Sequence, residues 1–131
     1  MTSIYLKSFN QKLFEFLDDI ISIFPENMDI VVSRNYFETI KKANPTLLLK
    51  IWYQYIYVKY QDVIDAGNIS FFLDKDYSDD LSMLSNAKDI LKTIDTSLRD
   101  PIRNMDETNF AHCAKYIQLL SKLSAGYMTN K

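Results

Sequence analysis

Ile51-Trp52-Tyr53-Gln54-Tyr55-Ile56-Tyr57-Val58-Lys59-Tyr60 is the stretch on which the fold turns. As a strand, its β-formers would alternate and put Tyr53, Tyr55 and Tyr57 on one face. As a helix, it is apolar nearly all round. The flanks decide. Asn44-Pro45 upstream is a helix start, with Asn44 as cap and Pro45 at the first position, where a missing N–H costs nothing. Gly67 downstream is a stop, since glycine enters the left-handed C′ conformation cheaply. No hairpin partner is evident, so the stretch is expected to be a long helix.

On a helical wheel Trp52, Ile56, Tyr60, Tyr53, Tyr57 and Val63 share one broad face. Leu47, Ile51 and Val58 lie on the other side. Lys50, Gln54, Gln61 and Asp65 leave a narrow polar stripe. A helix with so little polar surface is normally central and buried. Tyr55 falls off the main face, near Lys59 and Asp62, and is the ring expected to meet solvent or a partner.

Outward from this helix the chain carries further helical patterns. In residues 3–24, Leu6, Phe9, Leu13, Phe16 or Leu17, Ile20 and Phe24 recur at three- and four-residue steps, with Lys7, Lys12, Glu15 and Asp19 free to face water. Pro25 ends that run. Met28-Asp29-Ile30-Val31-Val32 reads as a short apolar connector, and Ser33 as the N-cap of a helix to about Ala43. Beyond Gly67, Asn68 begins a single turn through Phe72. Ser78 or Asp79 starts a helix to about Thr96, its acids suiting the helix dipole. Asp100-Pro101 breaks or restarts the chain. Asp106 caps a last helix to about Ser124, and Gly126 ends it. The expected fold is all-α: a single compact bundle of about five helices over residues 1–131, with the long aromatic-rich helix at its centre.

Composition agrees. Of 131 residues only two are glycine and three proline, too few for the tight turns of an all-β domain. The net charge is -2. Charge is evenly spread between the halves, without the basic excess of a nucleic-acid binder. Cys113 is the one cysteine, so no intramolecular disulfide is possible. No apolar run is long enough for a membrane span, and no signal-peptide pattern opens the chain. A soluble intracellular protein is expected.

Catalytic and metal motifs are weak. Asp74, Asp76 and Ser78 occupy the first, third and fifth positions of a calcium loop. Asp79 then stands where glycine is needed, and Ser85 where a bidentate glutamate belongs. His112 and Cys113 are helix neighbours pointing about 100° apart, not a nucleophile–base pair. No glycine-rich phosphate loop, nucleophile elbow or HExxH occurs. No catalytic residue, metal or cofactor is expected. The candidate partner-binding residues are Trp52, Tyr53, Tyr55, Tyr57, Phe71, Phe72, Asp76 and Tyr77, because tyrosine and tryptophan are enriched at interface hot spots.

Phe24-Pro25-Glu26, Asn44-Pro45, Trp52 and Tyr60 carry a resemblance, with Asn68-Ile69-Ser70-Phe71-Phe72 and Lys75-Asp76-Tyr77 with Asp80. Lys115-Tyr116-Ile117-Gln118 and Leu120-Ser121-Lys122-Leu123-Ser124 extend it. Together they resemble a small all-helical family of nucleocytoplasmic large DNA viruses, the giant viruses of protists and algae. The resemblance spans nearly the whole chain. It departs at Lys59, where the family pattern has proline. That family brings no assigned activity, so no catalytic residue carries over. It implies a viral context, in the host cytoplasm or the virion.

The function expected is a non-enzymatic viral protein acting through protein–protein contacts, as a structural or virion-associated component, with a protein partner or a homo-oligomer. The alternatives are a nucleic-acid-binding accessory factor, which would need Lys41, Lys42, Lys50, Lys115 and Lys122 on one face, and a small enzyme using scattered carboxylates.

Overall fold

The computed structural model describes residues 4–67, 85–94, 97–98 and 100–129. They form α1 (Ile4–Ile23), α2 (Met28–Ala43), α3 (Leu47–Ile51), a π-helix (Trp52–Tyr57) and α4 (Val58–Asp65), then α5 (Ser85–Ile94), α6 (Asp100–Arg103) and α7 (Glu107–Thr129). The protein is all-α, with no strand among the described residues. The single turn from Asn68 and the helix start at Ser78 or Asp79 lie outside them.

α1 buries Leu6, Phe9, Leu13, Phe16, Leu17 and Ile20, the stripe its periodicity implies. Its most extensive partner is α7, which supplies Cys113, Ile117, Leu120, Ser121 and Ser124. On its other flank α1 meets α2, where Ile30 and Phe37 are fully buried.

Met28–Val32 is not a connector. It is the first turn and a half of α2, and Ser33 is not its cap. Asn27 caps instead, with its side-chain oxygen accepting from Asp29 N at 3.1 Å. Ser33 is buried and turns its hydroxyl back onto Asp29 O at 2.8 Å, a bond that satisfies the group inside the helix. Asp29 in the first turn and Lys41 and Lys42 in the last complement the helix dipole.

Asn44 does not cap α3 and Pro45 is not its first residue: Thr46 stands at the N-cap, and Asn44 closes α2 instead. Its Oδ1 accepts from Thr46 N at 3.3 Å and from the Thr46 hydroxyl at 3.0 Å, which shapes a turn holding Pro45. α3 then begins at Leu47. Gly67 does adopt the left-handed conformation, φ 81°. Its N–H bonds Ile64 O at 2.9 Å, so the stop lies where the sequence puts it.

Between these signals the chain is not one straight α-helix. From Trp52 to Tyr57 it widens into a π-helix, and Val58 N bonds Tyr53 O, five residues back. Further on, Tyr60 leaves helical geometry at φ −129°, ψ 28°. The extra residue in the wide turn shifts the register. Ile64, not Val63, is the fully buried residue of α4. Trp52, Tyr55, Ile56 and Tyr57 are all buried. Tyr55, expected off the core face, is only 9% exposed. An α-helical wheel fails here because it assumes the wrong rotation per residue.

Asp100-Pro101 restarts the chain as α6. Asp106 caps α7 as expected, its Oδ1 accepting from Asn109 N at 2.8 Å. Gly126 does not end α7, which continues to Thr129. A Cβ at Gly126 would come within 2.6 Å of the Tyr5 ring. This glycine is a point of close approach between α1 and α7, not a terminator.

Candidate functional site

Of the aromatic residues singled out above, the structure gathers Trp52, Tyr53, Tyr55 and Tyr57 on one turn. Phe71, Phe72, Asp76 and Tyr77 lie outside the described residues. Trp52 is 1% exposed. Its indole meets Phe9 edge-on at 6.2 Å and donates from Nε1 to Ser121 Oγ at 3.0 Å. A buried tryptophan needs such a partner for its one polar atom. Tyr57 donates to Asp65 at 3.2 Å, and burial first, then this bond, pushes its phenol above the ordinary value. Tyr53 is half-buried, 6.3 Å from Tyr57 ring to ring. Lys59 Nζ lies over the Tyr55 ring at 5.7 Å. Trp52, Tyr55 and Tyr57 are thus withdrawn from solvent and do not form a partner-facing strip.

The titratable side chains gather elsewhere, along the α1–α7 seam. Tyr116 stacks on Phe16 at 4.6 Å, nearly parallel. Its hydroxyl meets Glu15 at 3.3 Å and, more closely, Asp19. Burial and then the Asp19 bond hold the phenol well above its usual range. Cys113 lies one turn earlier, buried, with its S–H directed at Met105 Sδ at 3.3 Å. Burial, with Asp19 adding to it, pushes the thiol up to about 12. A thiol held in its neutral form is a poor nucleophile. His112 points outward, as the helix spacing implies. Among the described residues no group of three or more His, Cys, Asp or Glu is placed to hold a metal ion.

On the other flank of α1 runs an open groove of about 630 Å³, with Lys41 and Pro45 among its lining residues. Leu6 and Phe14, both buried, also line it. The Phe14 ring carries two cations, Lys41 at 4.9 Å and Arg34 at 5.2 Å. Asn10 donates from Nδ2 to Pro45 O at 3.1 Å and so ties α1 to the start of α3. Its Oδ1 is buried without a partner.

Two of the acids lining this groove face cations, and the third, Asp19, accepts from a phenol and keeps its charge. Asp18 takes Arg34 at 2.6 Å, Glu15 takes Lys12 at 3.3 Å, and Asp19 takes Tyr116. Lys7 and Lys41 have no carboxylate partner among the described residues. Sequence reading assigned Lys7, Lys12, Glu15 and Asp19 to the water-facing side and stopped there. The groove depends on Pro45, 35 residues from Asn10, and no local pattern announces it.

Among the described residues no helix is long and apolar enough to cross a membrane. Comparison with protein-family models, with curated proteins and with solved structures gives no match.

Proposed function

We propose that this chain is a helical protein working through protein–protein contacts, as a structural or virion-associated component of a large DNA virus. In this reading residues 1–131 make one bundle of about five helices, present in the host cytoplasm or the virion. The viral context rests on the sequence resemblance. The contact reading is supported chiefly by one observation. Met28 and Val32, one turn apart on α2, are 62% and 63% exposed. Single exposed apolar side chains are ordinary. Two at i and i+4 make a continuous strip that water covers at a cost.

The test has two parts. Light scattering after size exclusion reads self-association, and affinity capture from infected cells with mass spectrometry reads a second protein. Association is expected for the wild type and is expected to be lost in Met28→Asp/Val32→Asp. A strictly monomeric protein, absent from purified particles and capturing nothing, would sink the proposal.

A further inference from the structure

We infer that the helical run from Leu47 to Asp65 is a register switch, with two settings one residue apart, and that α7 holds the present one. The sequence supplies an apolar residue for each setting. Counted as a plain α-helix, eleven steps from Trp52 return to within about 20° of its face and reach Val63. The π-helix takes more residues per turn. The structure therefore brings Ile64 to that face, fully buried, and leaves Val63 half-buried. Relaxing the wide turn to α geometry rotates α4 by one residue's step, roughly 100°, turning Val63 inward and Ile64 out. The inference goes beyond the contact reading and uses neither Met28 nor Val32.

Two features of the fold serve such a change. The first is a pair of clamps on α7. Ser121 accepts from Trp52 Nε1 at 3.0 Å, and Gln118 donates from Nε2 to Ile64 O at 3.0 Å and to Asp65 O at 3.4 Å. One clamp holds the start of the π-helix and the other the end of α4. Gln118 and Ser121 are three residues apart, on one face of α7, so that face fixes the phase between the two ends. The second feature is the break at Tyr60, φ −129°, ψ 28°. The run is already divided there, so rotation of its end does not have to twist one unbroken helix. Each setting buries one branched side chain, so a single hydrogen bond is enough to bias the choice.

The test reads positions 63 and 64 separately, by maleimide labelling of Val63→Cys and of Ile64→Cys, each in a Cys113→Ala background. Position 64 should be protected and position 63 reactive. Adding Gln118→Ala releases one clamp, and labelling at 64 should rise about fivefold, the worth of one hydrogen bond. Adding Ile64→Asp to Val63→Cys penalises the present setting, because it would bury a carboxylate, and labelling at 63 should fall about tenfold. Rotation protects 63 as it exposes 64. Fraying of the helix end would expose both.

Gln54 is exposed within the π-helix. Deleting it removes the extra residue and keeps Trp52 and Ile64 on one face of a plain α-helix. The present setting is then locked: the deletion should fold with helical circular dichroism unchanged, and position 64 should stay protected even with Gln118→Ala. If Ile64→Asp fails to fold, methyl relaxation dispersion on Gln118→Ala alone reads the exchange. Broadening is expected at the Val63 and Ile64 methyls with one common rate, and not at Leu13 of α1. Faster labelling at 63 in folded Ile64→Asp would overturn the proposal, and so would flat dispersion at both methyls. A Gln54 deletion that unfolds the protein would overturn it as well, because the wide turn would then hold no removable residue.

Discussion

The indole N–H of Trp52 donates to the hydroxyl of Ser121 at 3.0 Å, both buried, across 69 residues of sequence. This bond pins the π-helix to α7 and lets the largest buried side chain keep its polar atom satisfied.

Removing the hydroxyl should therefore cost more than its size suggests. Ser121→Ala strands a buried donor, and about 1–3 kcal/mol of stability should be lost. Trp52→Phe removes the donor but also ring volume. The double variant should be less damaged than the sum of the two singles. Urea unfolding of all four proteins measures the coupling. Strict additivity would show that the bond contributes nothing.

Tyr5 and Gly126 form a second cross-chain contact with a readable sign. Glycine inside a helix costs roughly 1 kcal/mol relative to alanine. At Gly126 that gain is opposed by the Tyr5 ring, which must move. Gly126→Ala should be near neutral in the wild type and stabilising by about 1 kcal/mol in a Tyr5→Ala background. Equal effects in both backgrounds would mean that the ring does not press on the glycine.

Alkaline pH should destabilise the fold through Cys113 and Tyr116. Both groups ionise later in the folded protein than in the unfolded chain. The folded state then holds protons that the unfolded state releases, so stability falls as pH rises. For Cys113 the contribution is complete below its ordinary value of 9.0 and fades as pH climbs towards about 12. Tyr116 acts at the upper end of that range and beyond. Thermal melts between neutral and strongly alkaline pH should show the decline. Cys113→Ala should flatten its lower part and Tyr116→Phe its upper part. Identical profiles for all three proteins would contradict the assignment.

The same raised thiol value makes Cys113 sluggish towards alkylation. At mildly alkaline pH, iodoacetamide should label the native protein roughly a thousandfold more slowly than the urea-unfolded chain, from thiolate fraction alone. Burial slows it further. Labelling at equal rates in the two states would place Cys113 at the surface, against its 4% exposure.

Local signals were legible wherever they act within a few residues. Gly67 adopts the positive φ expected of a helix stop. Asp106 caps the last helix. The apolar period of residues 3–24 names the buried face of α1. Met28–Val32 was misread because its β-branched residues outweighed the Asn27 cap, which lies one position ahead of them. The candidate site was barely legible. Its lysines and acids are visible as residues, but which of them are already paired is set by contacts such as Arg34 to Asp18, sixteen positions apart.

The sequence by itself determined that this protein is helical, where Pro25, Gly67 and Asp106 punctuate it, and which face of α1 is apolar. These depend on backbone preferences and on a period of three to four residues, so they are written locally. Only the tertiary structure decided that Trp52–Tyr57 widens into a π-helix, that Tyr55 turns inward, that Gly126 is a contact and that Lys7 and Lys41 are left without carboxylates. Each of these needs a partner far along the chain, Ser121 for Trp52 and Tyr5 for Gly126. Packing between distant segments can outweigh a helix's preferred rotation, because a buried indole or a displaced ring costs more than one widened turn.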